Sequence, residues 1–377
     1  MAKNEQAFPL DPIQMPVMLE ILRRGPITRA ELARSTGLSQ ASIARLTMPL
    51  VKQQLVNEQT PLSQPRGRPT VPIDANATYA SVIGINLTGT QAHVTHTDLR
   101  ASIIADTISE LPGNEPAAIA THLRDLISSL STPDRRPRAI GLTLGGNVPD
   151  GKNVIFAPFL AWEDVPFARI LTEATGLPVT LGNDVEGVTI AENWFGAGRE
   201  TESFMVVTMG AGIGLGVVFQ NRLLEDYSTG FGLMGDNIFT DPLTHEACRG
   251  NSYLTDKAVE TIYRQPTGKP AAIEQIEALS AANDPVASDI ARQIALRLGQ
   301  FIGTAANFVS VSQAVVLGER TGFIATYQQE IERGIANVRH PRARPVDWLI
   351  RGEDHTYWAR GAAVLAVRSL LGAHRDL

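Results

Sequence analysis

The residues of this 377-residue chain best suited to chemistry are an amide and a carboxylate side by side, Asn183 and Asp184, where the apolar run LPVTLGND passes into VEGVTIAENWFGAG. Together they offer donors and acceptors to adjacent hydroxyls, and a strand-to-helix junction is where open α/β sheets place ligand-binding groups. The bland alternative for Asp184 is a helix N-cap. Gly145 and Gly146 end a second apolar run, AIGLTLGG, and without β-carbons they let a ligand approach the backbone. Two further glycine turns, Ile85-Asn86-Leu87-Thr88-Gly89-Thr90 and Thr208-Met209-Gly210-Ala211-Gly212-Ile213-Gly214, sit between apolar stretches. Each alone is a common pattern. The last cluster is basic: Gln64-Pro65-Arg66-Gly67-Arg68-Pro69, arginines around a glycine in a segment that its prolines keep extended.

The elements around that basic segment decide its partner. Met15, Met18, Leu19 and Leu22 repeat at helical spacing until Gly25-Pro26 stops them. Thr28 opens TRAELARSTG with Glu31 three residues on, a capping box, and Gly37 closes it. Ser39 is a suitable N-cap for SQASIARLTM, with Ile43, Leu46 and Leu50 on one face. Pro49 is expected to kink or end this third helix. Beyond it, LVNEQT and TVPIDA read as the two strands of a wing on either side of the arginines. Short helices, a glycine turn and a wing predict a winged helix-turn-helix. Opposite the buried stripe stand Ala41, Ala44, Arg45, Met48 and Lys52, with Gln40 at the first turn. Gln40 can pair with adenine and Arg45 with guanine or a phosphate, while Ser39 and Ser42 suit phosphates. Beside such a unit, Arg66, Gly67 and Arg68 suit a narrow minor groove better than a solvated linker. The expected partner is double-stranded DNA, bound by a homodimer or a dimer of dimers.

The charge distribution agrees. The whole chain carries a net charge of −6, yet residues 1–72 hold nine Lys and Arg against five Asp and Glu, a net of +4 on an acidic body. Cations must sit where DNA docks. Hydrophobic residues at 44% and charged residues at 19% allow an ordinary globular core, and the length allows two or three domains. The sole cysteine, Cys248, excludes an internal disulfide and a cysteine-rich zinc site. No metal and no cofactor are expected. No apolar run approaches membrane-spanning length and Met1 to Pro16 lacks a basic-then-apolar signal, so the expectation is a cytoplasmic protein without membrane contact.

From about residue 80 the pattern is α/β. SVIGINLTG and AHVTHTD read as paired strands followed by ASIIADTIS, and a helix near 116–131 precedes AIGLTLGG. ARILTEATG reads as a helix, LPVTLGND as a strand and VEGVTIAENWFGAG as a helix. FMVVTMGAGIGLGVVF repeats the strand, glycine turn, strand hairpin seen near residue 85. Helices over about 285–308, 323–335 and 358–372 follow, with strands at AVVLGE and VDWLI between them. The repeated hairpin predicts two related α/β lobes facing a cleft, and domains spanning 1–75 and 76–377.

Taken in order from about Met15 to Leu371, these features resemble the ROK family (repressors, open reading frames and sugar kinases), in its regulator branch. Ile85–Thr90 looks like the first phosphate loop, usually Asp-x-Gly-Gly-Thr, and Thr208–Gly214 like the second. Phe156-Ala157-Pro158 with Leu160 and Trp162 matches the segment before the pocket helix, and Gly182-Asn183-Asp184 the Asn-Asp pair that holds the kinases' catalytic base. Leu317-Gly318 and Gly361-Ala362-Ala363 fit late positions. The resemblance implies a two-lobed, actin-like and sugar-kinase-like (ribonuclease H-like) ATPase-type fold with a cleft near 183–236, and the regulators include repressors of sugar-uptake genes.

The departures bear on activity. Asn86 stands where the kinases have the carboxylate that organises Mg²⁺ and phosphate. The family's Gly-Glu-x-Gly-His and three-cysteine zinc cluster become Gly232-Leu233-Met234-Gly235-Asp236 and His245-Glu246-Ala247-Cys248, too few ligands for zinc. Phe159 replaces an asparagine often found before the pocket leucine. The expectation is a catalytically degenerate regulator with no catalytic residues, whose sugar-like effector touches Gly145, Gly146, Asn183, Asp184 and Asp236. The competing readings are a sugar kinase with a DNA-binding head, and a regulator with a decayed pocket that answers to a protein partner.

Overall fold

The computed structural model describes residues 8, 10–61, 70–224, 234, 235, 237–352, 354 and 356–372. It divides into two compact units, residues 1–199 with 356–377, and residues 200–355.

Unit 1 begins with three helices. Helix α1 (Gln14–Arg24) turns Val17, Met18, Ile21 and Leu22 inward. Helix α2 (Arg29–Thr36) opens on the expected capping box: the Thr28 hydroxyl accepts from the Glu31 amide, and the Glu31 carboxylate accepts from the Thr28 amide at 2.9 Å. It ends at Gly37, whose φ of 69° is left-handed backbone that a β-carbon disfavours. Helix α3 (Gln40–Lys52) starts from Ser39, whose hydroxyl accepts from the Ser42 amide at 3.1 Å. Its buried stripe is Ile43, Thr47 and Leu50, whereas Leu46 is only half-buried. Thr47 can hide because its hydroxyl is satisfied, donating to the Ile43 carbonyl at 2.8 Å and accepting from Arg29 Nε at 3.3 Å. Pro49 does not end the helix. Leu50 is anchored in the core, and the Gln53 and Leu55 amides close the last turn on the Pro49 and Leu50 carbonyls.

The wing strands are shorter than their sequence stretches. β1 (Val56–Glu58) pairs antiparallel with β2 (Ile73–Ala75), and Ile27 bridges to Ile73. The segment carrying Arg66, Gly67 and Arg68 lies outside the described residues.

The lobe of unit 1 follows: β3 (Ser81–Leu87), β4 (Gln91–Asp98), β5 (Ile103–Glu110), α4 (Pro116–Leu130), β6 (Pro137–Leu144), the hairpin β7 (Val154–Ala157) and β8 (Trp162–Val165), α5 (Phe167–Thr175), β9 (Val179–Asn183) and α6 (Asp184–Phe195). The main sheet has the order β5-β4-β3-β6-β9, with β3, β6 and β9 parallel. Ile83, Ile85, Leu142 and Leu181 pack with Ile119 and Leu123 of α4 and Phe167 and Leu171 of α5. The C-terminal helix (Thr356–Leu370) returns to this sheet. It comes so close that a β-carbon at Gly84 would stand 2.0 Å from the Ala359 carbonyl oxygen, and one at Gly141 1.8 Å from that of Ala362. No side chain fits at either position.

Unit 2 contains β10 (Phe204–Met209), β11 (Ile213–Phe219), β12 (Arg222–Leu223), the hairpin β13 (Ile238–Thr240) and β14 (Ala247–Arg249), α7 (Asp256–Thr267), α8 (Ile273–Ala281), α9 (Pro285–Val309), β15 (Gln313–Leu317), α10 (Thr321–Ile324), α11 (Gln328–Val338) and β16 (Asp347–Ile350). Its sheet order, β12-β11-β10-β15-β16, repeats that of unit 1 when strands are counted from the first of each sheet. The repeated hairpin in the sequence is therefore a repeated sheet. The helix expected near 323–335 divides into a single turn, α10, and α11, which lies on α9 through Gly334, Gly299 and Gly303.

The β13–β14 hairpin occupies the stretch where the sequence departs from a zinc cluster. Asp241 organises it: one carboxylate oxygen accepts from the Leu243 and Thr244 amides at 2.8 and 3.3 Å, and the other pairs with the buried Arg297 guanidinium, from Nε at 2.9 Å and from Nη2. Phe239 stacks on Tyr253 with ring centres 5.1 Å apart, and burial pushes the Tyr253 phenol above its usual range. Among the described residues no group of three or more His, Cys, Asp or Glu is placed to hold a metal ion. With a single cysteine in the chain, incubation with EDTA is expected to leave the melting temperature unchanged. Arg297→Met, which strands the Asp241 carboxylate, is expected to cost about 3–5 kcal/mol in urea denaturation. A chelator-induced drop in melting temperature would reveal a metal that this hairpin needs.

Candidate DNA-reading and ligand-binding surfaces

Helix α3 presents Gln40, Ala41, Ala44, Arg45, Met48 and Lys52 to solvent. Ala41, Arg45, Met48 and Lys52 recur at intervals of four, three and four and share one face. Ser39 is exposed and Ser42 half-buried, with their hydroxyl oxygens 3.0 Å apart. Ser39 is thus partly occupied as a cap. Other arginines of this region are engaged within the protein: Arg29 pairs with Glu58 at 2.7 Å, and Arg24 with Glu20 at 3.2 Å. The sequence placed the outward face correctly because helical spacing alone determines which residues oppose a buried stripe.

Contacts that join the N-terminal segment to the lobe include three that were not legible in the sequence. Phe8 is buried, donates its amide to the Leu370 carbonyl at 3.0 Å and meets Tyr79 edge-on. Arg100, in the β4–β5 turn, donates to the Leu22, Ile21 and Gly25 carbonyls at 3.2–3.4 Å and pairs with Asp74 of the wing. It thereby caps α1, whose last carbonyls lack partners within the helix. Buried Arg23 donates Nη2 to the Asn193 side-chain oxygen at 2.9 Å and to its carbonyl at 3.2 Å. Burial lowers the Arg23 pKa from its usual value.

Asn193 belongs to α6, the helix that begins at the candidate ligand site. Its N-cap is Asn183, which is buried and held from both sides of its amide: Oδ1 accepts from the Val185 amide at 2.9 Å, and Nδ2 donates to the Gly146 carbonyl at 2.9 Å. Asn183 therefore clamps the end of β6 to the start of α6. Asp184 follows, half-buried, with Oδ1 accepting from the Val185 amide at 2.8 Å. Its other oxygen lies 3.4 Å from where a β-carbon on Gly145 would stand. The structure thus gathers Gly145, Gly146, Asn183 and Asp184 at the C-terminal ends of β6 and β9, as the sequence led one to expect. Asp236 lies outside the described residues. An open hollow of about 500 Å³ lies beside Trp162 and the first turn of α4, lined in part by Phe156 and Pro158.

The two glycine turns close on themselves. Asn86 is buried and donates to the Thr143 hydroxyl at 3.2 Å. Thr88, where the resemblance calls for glycine, accepts with its own hydroxyl from the Gln91 and Thr90 amides at 2.9 and 3.3 Å. In unit 2 the Gly210 amide donates to the Gly212 carbonyl, and the Glu319 carboxylate crowds Gly210, 2.5 Å from a β-carbon position there. The threonine at 88 was a visible signal; the reach of Glu319 was not.

The sequence pattern of the ROK family matches residues 82–369. The chain belongs to the ROK family. Its relatives include the xylose repressor of Bacillus spizizenii, 28% identical over 237 residues, which make up 61% of each protein. The match thus spans less than two thirds of that repressor. The DNA-binding transcriptional dual regulator NagC of Escherichia coli is 25% identical over 92% of this chain and 90% of its own. A ROK family transcriptional regulator, described as a homolog of the E. coli MLC protein, superposes with a TM-score of 0.78 at 22% identity, over 95% of this chain and 96% of that one. A ROK family glucokinase from Streptomyces griseus, in complex with glucose and AMPPNP, gives 0.65 at 21% identity, over 76% and 99%. The fold is thus the one that ROK regulators and ROK sugar kinases share, and in this chain helices α1–α3 and the β1–β2 wing stand ahead of it. No helix among the described residues is long and apolar enough to cross a membrane.

Removing the Asn193 side chain leaves a buried guanidinium short of an acceptor. Asn193→Ala is expected to lower stability by about 1.5–3 kcal/mol in urea denaturation, the usual worth of a hydrogen bond to a charged group. An unchanged midpoint would show that the Arg23 contact contributes nothing to stability.

Proposed function

We propose that this chain is a DNA-binding transcriptional repressor of carbohydrate uptake or metabolism genes, released from its operator by a sugar or sugar derivative held at the strand ends of unit 1. The observation that carries the reading is a capped helix-turn-helix with an outward-facing third helix, joined through buried hydrogen bonds to a lobe of the ROK family. Repressor relatives of xylose and N-acetylglucosamine systems support it. In this reading residues 1–75 read DNA, with Ser39, Gln40, Ala41, Ser42, Ala44 and Arg45 in the major groove and Arg66, Gly67 and Arg68 in the minor groove. Residues 76–377 bind the effector and dimerise in the cytoplasm. A homodimer, or a dimer of dimers, spaces its recognition helices about 34 Å apart on a palindromic operator.

Three features weigh against kinase activity. Asn86 is neutral, buried and already bonded to Thr143, so it is a poor organiser of Mg²⁺. The Thr88 hydroxyl occupies backbone amides that a phosphate would need. The Glu319 carboxylate beside Gly210 repels a second phosphate. What remains is a binding site. In this reading Gly145, Gly146, Asn183, Asp184 and Asp236 contact the effector, and Asn183 also ties Gly146 to the start of α6.

Helix α6 supplies the route to the DNA. Asp184 and Asn193 lie nine residues apart, about 14 Å along a rigid rod, and Asn193 grips Arg23 of α1. A ligand that favours one placement of α6 changes DNA affinity only by its preference for that state.

Against an operator selected from genomic fragments, Arg45→Ala is expected to weaken binding by about 1–3 kcal/mol in fluorescence anisotropy titrations. Affinity equal to wild type would take Arg45 out of the interface. Asp184→Asn is expected to keep its fold and its operator affinity while losing release by sugar. If calorimetry shows the variant binding the effector as tightly as wild type, Asp184 is only a helix-start residue.

A further inference from the structure

Phe159 is 56% exposed, although it sits in a short turn between a buried Ala157 and a buried Leu160. That turn is not loose. The Phe159 carbonyl oxygen lies 3.0 Å from the β-carbon position of Gly89, against the β3–β4 turn. Its ring lies 3.3 Å from the β-carbon position of Gly145, and the Asp184 carboxylate lies 3.4 Å from the same point. A ring and a carboxylate therefore flank one small gap, which exists only because residue 145 has no side chain. Exposing an aromatic ring to water has a free-energy cost.

We propose that Phe159 is a specificity-determining residue: its ring is the platform on which the apolar face of an uncharged cyclic sugar rests while Asp184 accepts a hydroxyl at the ring edge. The proposal rests on the effector reading above and adds which sugars qualify. A pyranose presents axial C–H groups to one side and hydroxyls around its rim, which suits an aromatic face beside a carboxylate. An open-chain alditol offers the same hydroxyls without a flat face, and a sugar phosphate brings a charge that Asp184 repels.

The test uses the full chain and isothermal titration calorimetry with xylose, glucose, N-acetylglucosamine, glucose 6-phosphate and the alditol of whichever sugar binds. Wild type is expected to bind one uncharged pyranose and to prefer it clearly over its alditol. Phe159→Leu is expected to weaken that sugar roughly three- to ten-fold, in line with aromatic stacking contributions, and to shrink the preference over the alditol. Phe159→Trp is expected to restore affinity, with a tryptophan fluorescence change on binding that wild type lacks. If Asp184→Asn abolishes binding while Phe159→Leu binds as wild type does, the effector reading stands and the stacking proposal falls. If the wild type prefers the alditol or the phosphate, the stacking proposal falls as well. If no sugar binds, both fall together.

Discussion

The buried ion pair between Glu186 and Arg368, 2.9 Å apart, is the contact on which the arrangement of unit 1 turns. Glu186 is the third residue of α6, and its second oxygen accepts from the Asn183 amide as the return arm of a capping box. Arg368 comes from the C-terminal helix, which itself lies on β3 and β6 through Gly84 and Gly141. A charge pair at this depth is stabilising only while both members are present, because a lone buried charge costs several kcal/mol. Two residues 182 positions apart in the sequence thereby meet at the start of α6. Both ends of α6 matter: Asp184 at the first turn and Asn193 at the last.

The two lobes show one topology built twice, with different contacts in the turn of each first hairpin. Both sheets run in the same order, and in both a glycine turn joins the first two strands. In each turn the backbone amides have been given partners inside the protein, by Thr88 in one and by the Gly210–Gly212 contact in the other. Such differences leave the strands untouched, since the sheets depend on central strands buried along their length and on backbone pairing rather than on loop donors. The β13–β14 hairpin follows the same logic, with a buried carboxylate–guanidinium pair and an aromatic stack in a stretch whose sequence lacks zinc ligands.

Much of the molecule was legible in its order of residues. The capping box at Thr28 and Glu31, the left-handed Gly37, the Ser39 cap and the exposed face of α3 all rest on contacts between residues three or four apart. So does the start of α6 at Asn183. The repeated hairpin predicted the repeated sheet because strand pairing across a short turn is also local. Where the sequence reading slipped, a longer contact had intervened. Thr47 took the place of Leu46 in the buried stripe because Arg29, eighteen residues earlier, donates to its hydroxyl. Of the two outcomes expected at Pro49, a kink or an end, the helix does not end there, and the next residue, Leu50, is buried in the core.

What the sequence alone determined, then, was the local grammar: which segments are helices and strands, where each begins, and which side chains share a face. Tertiary structure decided which of those side chains remain available. Asn183, an expected ligand contact, is also a clamp, because the Gly146 carbonyl lies 2.9 Å from its amide nitrogen. Phe159 looked like a spoiled sugar contact and became a ring beside Asp184. Arg23 looked like one more basic residue of a DNA-binding head, and is buried against Asn193, 170 residues away. The physical reason is the same in each case. A hydrogen bond or packed surface consumes a side chain regardless of separation along the chain, and only the folded backbone sets who is within 3 Å of whom.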